Sequence, residues 1–274
     1  MPLSERQKQY LDLMGIPVYT ERAEEEKQDF ELPPQVKSSQ KKSPGKSDDN
    51  LSPVNDSQAR EAPTVTPAET ETSVSVHEIL KRSDLPQEWS GLIDHVSNCE
   101  RCDLHKTRTQ TVFGVGDSNA DWMIIGEAPG IEEDKQGEPF VGQAGQLLTV
   151  ILESIGLGRD KVYIANTLKC RPPGNRDPKK SEAAQCRAYL EQQIALVDPK
   201  IIICVGRIAS QNVLQVEDPI SRMRGKPHSI QHPVKLEKDI PVIVTYHPAY
   251  LLRSPSQKRK VWDDLKLAFS VLKA

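Results

Sequence analysis

The amino-acid sequence predicts an α/β fold built on a parallel, doubly wound sheet with helices on both faces. Two observations carry the prediction. From about residue 76, short apolar runs alternate with longer segments of helical period, and that alternation calls for a parallel sheet with crossover helices. Each apolar run also ends in polar or glycine residues (Gly126-Glu127, Asn166, Gly206 and His247). In such a sheet the ligand site lies beyond the carboxyl ends of the strands, so these positions should converge on one edge.

The elements follow in chain order. VHEILKR (76–82) and PQEWSGLIDHVSNC (86–99) read as short helices. DWMIIGEA (121–128) is the first buried strand and AGQLLTVILESIG (144–156) the helix after it. KVYIANTLK (161–169) and KIIICVG (200–206) are the next strands, separated by the helix SEAAQCRAYLEQQIALV (181–197). RIASQNVLQ (207–215) is helical, IPVIVTYHP (240–248) the last strand, and KRKVWDDLKLAFSVL (258–272) the closing helix.

Composition divides the 274 residues into three parts: 1–22, 23–75 and a globular part from 76 to 274. The first contains a short amphipathic stretch around Tyr10, Leu11, Leu13, Met14, Ile16 and Val18. The second has one aromatic residue, Phe30, and runs such as SSQKKSPGKSDDN, a composition expected to form a disordered linker. Residues 1–86 hold 11 Lys+Arg against 16 Asp+Glu, which leaves 25 against 23 for residues 87–274. A mildly basic body thus carries an acidic front, and the overall charge of −3 does not exclude nucleic-acid binding. The apolar runs are strand-sized, too short to span a membrane, and the N-terminus lacks the apolar core of a signal peptide. An intracellular protein is expected, in which five cysteines suggest metal binding or buried thiols rather than disulfides.

Three groups of residues carry chemistry. Cys99-x2-Cys102 has the spacing of a metal hairpin, and Cys170 and Cys186 complete a set of four thiols that suits either zinc or a [4Fe–4S] cluster. Cys204, inside IIICVG, reads as a core residue. The stretch GEAPGIEEDKQGEPFVGQAGQLL (126–148) forms a glycine-rich connection that can approach a ligand closely, with Glu127, Glu132, Glu133 and Asp134 beside it. It is not a phosphate-binding Walker loop, because no Gly-Lys-Ser/Thr follows. Thr245-Tyr-His-Pro-Ala-Tyr-Leu-Leu-Arg253 places His247 at a strand end before a segment suited to DNA insertion, trailed by Lys258, Arg259 and Lys260.

Taken in order, GEAPGxxEDxxGxPFVGxAGxLL, IANxxKCRPPGNRDP and HPAYLLR resemble the motifs of family-four uracil-DNA glycosylases over residues 87–274. The resemblance implies a three-layer α/β/α sandwich with a central, mostly parallel sheet, and a monofunctional enzyme that flips uracil from DNA and hydrolyses its glycosidic bond. It implies that Cys99, Cys102, Cys170 and Cys186 ligate a [4Fe–4S] cluster that orders loops, zinc being the less favoured occupant. By the same resemblance Phe140 stacks on the flipped base, Asn166 reads the uracil edge, and His247 hydrogen-bonds O2 as negative charge develops there. Leu251 and Leu252 are wedge candidates and Arg253 a phosphate contact. The better-known Gly-Gln-Asp-Pro-Tyr motif would place an Asp at Ala128 and a Tyr at Gly130, so water positioning passes to Glu127, with Glu133 second.

The rival reading is a catalytically silent iron–sulfur or zinc DNA-binding adaptor, against which intact Phe140, Asn166 and His247 count. A second rival is excision of another base, such as hypoxanthine or thymine opposite guanine. No His-x-Glu accompanies the CxxC pair, which disfavours a zinc deaminase. Residues 6–19, RQKQYLDLMGIPVY, are similar to the peptide by which the psi subunit of the bacterial clamp loader grips chi, implying a replication partner for residues 1–22. The expected protein is a monomer of the bacterial cytoplasm, associated with the nucleoid and acting on uracil-containing DNA.

Overall fold

The structure, a computed structural model, describes residues 8–9 and 81–273. Apart from residues 8–9, the expected docking peptide (1–22) and linker (23–75) lie outside the described residues, as does most of the 76–82 helix. Its last residue, Arg82, opens a short 3-10 turn at Arg82–Asp84.

Six strands form one sheet in the order β1-β3-β2-β4-β6-β5. The central four are β2 (Trp122–Gly126), β3 (Val162–Asn166), β4 (Ile201–Val205) and β6 (Asp239–Thr245), all mutually parallel. They are the four strands expected from the sequence, each ending where the apolar run gives way to polar or glycine residues. The edges are β1 (Val115–Gly116) and β5 (Pro227–Gln231), both antiparallel to their neighbours. Neither carries a buried residue, which is why no apolar run announced them.

The pleat sends alternate residues into two cores. Met123, Ile125, Ala165, Ile202, Cys204, Val242 and Val244 face one layer, against Leu190, Ile194 and Val197 of α4 (Lys180–Val197) and Ala209 and Val213 of α5 (Arg207–Leu214). Trp122, Ile124, Val162, Ile164, Ile201, Ile203, Val205 and Ile243 face the other. They meet Leu148 and Leu152 of α3 (Gln143–Ser154) and Ala268 of α8 (Lys258–Lys273). The expected three layers are therefore present. The strands are buried on both faces, as parallel strands must be when helices cover them.

Four further α-helices are described: α1 (Trp89–Ser97), α2 (Ile131–Gln136), α6 (Ile220–Met223) and α7 (Pro248–Arg253). Two of them correct the sequence reading. Residues 131–136 were expected to be loop, yet they close a helical turn ended by Gly137 at φ 77°. PAYLLR, expected as an inserting loop, is helical because Pro248 starts it and His247 caps it. Among the described residues no helix is long and apolar enough to cross a membrane.

Candidate active site

The strand ends meet as expected. Gly126 and Asn166 are register partners at the ends of β2 and β3, and the Gly206 N–H donates to the Thr245 carbonyl at 2.9 Å, drawing β4 and β6 together. Above this edge lies a cavity of about 630 Å³ lined by Glu127, Ala128, Glu133, Phe140, Asn166, His247 and Arg253 among others. Seven of the expected site residues are thus gathered from three separate stretches of chain.

Asn166 and Phe140 form the floor. Asn166 is 2% exposed, and its Oδ1 is buried with no hydrogen-bond partner in the described protein. An orphaned buried acceptor costs about 1–3 kcal/mol, a cost that a donor on a ligand would relieve. The Phe140 ring packs over Gly126, where an added Cβ would sit 2.6 Å from Phe140 Cζ and 2.3 Å from Asn166 Oδ1. Only a residue without a side chain lets ring and carboxamide converge there.

His247 stands opposite, its ring centroid 5.7 Å from that of Phe140. Its Nδ1 accepts the Ala249 N–H at 3.1 Å, capping α7, so the proton of the neutral ring belongs on Nε2. Burial pushes its pKa down to about 4, the Arg253 charge adds to the fall, and Glu133 opposes it. The result is a neutral imidazole with one donor free.

The two candidate carboxylates differ in what they touch. Burial raises Glu127 from an ordinary 4.5 to about 7, with Asp177 reinforcing and Arg207 opposing. Glu133 is committed to the backbone. Its Oε1 accepts from the Val141 and Gly142 N–H groups, each at 3.0 Å, and its Oε2 from Gly130 at 3.1 Å. Asp134, expected only as a nearby carboxylate, is buried and accepts the backbone and hydroxyl of Thr109, tying α2 to the segment after the CxxC pair.

The leucines require a correction. Leu251 is 0% exposed and packs with Ile151, Val261 and Leu265, so it is a core residue, whereas Leu252 is 46% exposed. Their helical spacing decides this, because adjacent residues on α7 point in different directions. Arg253 is exposed at the cavity rim.

Three of the four expected ligand cysteines share one small cluster. Cys102, Cys170 and Cys186 pack with Leu104, Leu168 and Ala128, the last of which also lines the cavity. Burial raises the thiols of Cys102, Cys170 and Cys186, and further upward pushes come from one another and from Cys99. Cys204 is raised by burial alone, with no push from the other four. Arg108 donates to Cys170 Sγ at 3.2 Å and to the Cys99 carbonyl at 2.7 Å, a cation placed where thiolates would gather. Among the described residues no three His, Cys, Asp or Glu side chains are close enough to grip a single metal ion. A single zinc draws four donors to within about 2.3 Å of one centre, while a four-iron cluster takes one thiolate per iron across a wider body. The all-thiol donor set is chemistry that either occupant accepts.

Lys169, part of the IANxxKCRPPGNRDP motif but given no role there, supports the site from outside the cavity lining. Fully buried, it donates from Nζ to the Asn166 carbonyl at 2.8 Å and to Gln193 Oε1 at 2.6 Å. It lies three residues past the end of β3, and its place in that motif was the one signal the sequence offered.

Residues 113–266 match the family model of the uracil DNA glycosylase superfamily. A type-4 uracil-DNA glycosylase of Archaeoglobus fulgidus is 45% identical over 179 residues, 64% of this chain and 88% of that protein. One from Thermotoga maritima is 40% identical over 183 residues, 66% of this chain and 92% of that protein. A type-5 uracil-DNA glycosylase of Thermus thermophilus is 31% identical over 118 residues, 38% and 53% of the two chains.

Proposed function

The chain belongs to the uracil DNA glycosylase superfamily, and from that premise we propose how its residues excise uracil from DNA. It is a uracil-DNA glycosylase, a hydrolase of the N-glycosidic bond in DNA repair; a catalytically silent adaptor is not favoured. The observation that carries the residue assignment is the convergence of an orphaned Asn166 Oδ1, the Phe140 ring and a neutral His247 on one cavity.

Uracil turned out of the duplex stacks on Phe140, which replaces part of the lost base stacking. Asn166 Oδ1 accepts N3–H and its Nδ2 donates to O4, a pattern that cytosine reverses. As the bond from C1′ to N1 breaks, its electron pair moves into the base and charge grows on O2. The His247 Nε2–H donates to that oxygen, and a donor aimed at developing charge in a buried pocket is a large catalytic contribution. The Glu127 carboxylate stabilises the cationic sugar and orients the water that adds to C1′. Glu133 acts at one remove, by holding the loop. Leu252 fills the vacated stack and Arg253 contacts phosphate.

Cys99, Cys102, Cys170 and Cys186 would hold a [4Fe–4S] cluster, in preference to zinc. When bound, the cluster supplies a structural crosslink between separate segments of chain. The protein acts on uracil-containing DNA as a cytoplasmic, nucleoid-associated monomer. Residues 1–22 would dock on the clamp-loader chi subunit, which calorimetry with that peptide measures directly.

The test is incision, revealed by alkali, of an oligonucleotide with one uracil. Wild-type protein breaks it, while Asn166→Ala and His247→Ala each lose about 100-fold or more in single-turnover rate. Undiminished breaks in both variants would overturn the assignment of the pocket.

A further inference from the structure

We infer that Arg159 is a positioning residue for excision: it holds the turn that presents Phe140 to the base. This inference rests on the proposed stacking role of Phe140.

Phe140 has φ 56°, in the left-handed region that a residue with a bulky side chain rarely occupies. Such a conformation is costly and persists only where the surroundings over-determine it. Here they do so from both sides. The Arg159 guanidinium donates from Nη2 to the Pro139 carbonyl at 2.7 Å and from Nη1 to the Phe140 carbonyl at 3.2 Å. Glu133 accepts the next two N–H groups, those of Val141 and Gly142. Four consecutive residues, 139–142, are thus gripped by a cation on their carbonyls and an anion on their amides. The backbone of α3 closes in as well: a Cβ at Gly145 would lie 1.8 Å from the Phe140 oxygen.

Arg159 is outside the cavity. It sits in the 3-10 turn Arg159–Lys161 that leads into β3 and does not line the pocket. Among the described residues its hydrogen bonds toward the site go to the carbonyls of residues 139 and 140, with the Glu138 charge beside it, so its removal should act through the 138–140 turn and not through a group that lines the cavity. A fork of donors suits two adjacent carbonyls; a lysine in its place serves them less fully.

The experiment is a double-mutant cycle on the full-length, iron-loaded protein, comparing Arg159→Ala, Phe140→Ala and the pair. Single-turnover excision and inhibition by free uracil are read, with thermal melting and visible absorbance confirming fold and cluster. Arg159→Ala should slow excision about 10-fold and weaken uracil inhibition by a similar factor, while KM for DNA moves less than about 2-fold. Arg159→Lys should restore part of the loss. In the Phe140→Ala background the Arg159 change should cost at most about 2-fold, because its target is gone.

Losses that multiply in the double variant, or a wild-type rate and uracil inhibition for Arg159→Ala, would overturn the inference. If Arg159→Ala does not fold, the same cycle with Arg159→Gln decides, since the amide keeps one donor and much of the volume. A Phe140→Ala protein that excises uracil at the wild-type rate would sink the stacking role and this inference together. A crippled Phe140→Ala beside an unimpaired Arg159→Ala would sink this inference alone.

Discussion

Glu127 and His247 have opposite pKa shifts from one cause. Burial penalises whichever form is charged, so the carboxylate is pushed up to about 7 and the imidazole down to about 4. If the ionised carboxylate is the working form, excision falls as pH drops below about 7, by about 100-fold two units lower. His247 stays neutral throughout that window and adds no limb of its own. Glu127→Gln should therefore be slow but flat from pH 8 to pH 5, and a limb that survives in this variant would assign the titration elsewhere. Stability follows with its sign fixed. A carboxyl whose folded pKa lies above 4.5 favours the folded state most below 4.5, and that contribution is lost as pH rises through about 7. Glu127→Gln should then melt higher than wild type at pH 8 and level with it at pH 4. The position of these residues was legible in the sequence because strand ends announced them, while their expected roles came from the family resemblance. Their division of labour was not: that Glu133 serves the backbone, and that Leu251 is core while Leu252 is free, depends on partners brought in from elsewhere in the chain.

The central strands were legible because each is buried on both faces and bounded by polar residues; the edge strands lacked that mark. β5 alternates exposed and half-covered residues and opens with Pro227, so its sequence, PHSIQ, shows no core-facing run. What a strand does for the site is set at its last residue. β2 ends in Gly126, beside the end of β3 at Asn166, and the Phe140 ring fills the space above the glycine. Gly126→Ala would place a methyl where ring and carboxamide already stand, and one of them must move. The backbone there is ordinary extended strand, so the damage should fall on geometry more than on folding. Excision should drop on the order of 100-fold, as misplacements of about 1 Å can do, with free-uracil inhibition weakened in parallel. Melting would report whether the sheet has been disturbed instead. An alanine variant with intact uracil affinity would show that the close approach is not what shapes the pocket.

Across the molecule, the four grouped thiols come from three segments: residues 99–102 before the sheet begins, residue 170 just past β3, and residue 186 within α4. Ligation of one cluster would join them, and the segment most affected is the loop after Cys170. Pro172, Asn175 and Arg176 of that loop wall the cavity, and Arg176 is held by Glu182 of α4 through two hydrogen bonds of 2.6 and 2.9 Å. The cluster would therefore shape the pocket without touching the base. The fifth cysteine supplies the control, because Cys204 is buried like Cys170 and Cys186 but receives no electrostatic push from the four. Cys170→Ala should lose most of its visible absorbance and more than about 4 kcal/mol of stability, the scale at which loss of a metal site acts. Its residual excision should be weak even where the protein remains folded. Cys204→Ala should keep the absorbance and excise uracil normally, paying only the small cost of removing one sulfur from the core. Equal loss of absorbance in both variants would mean that the spectrum reports general folding rather than ligation. Full absorbance in Cys170→Ala would remove that residue from the ligand set and leave the loop to be ordered by Arg176 and Glu182 alone.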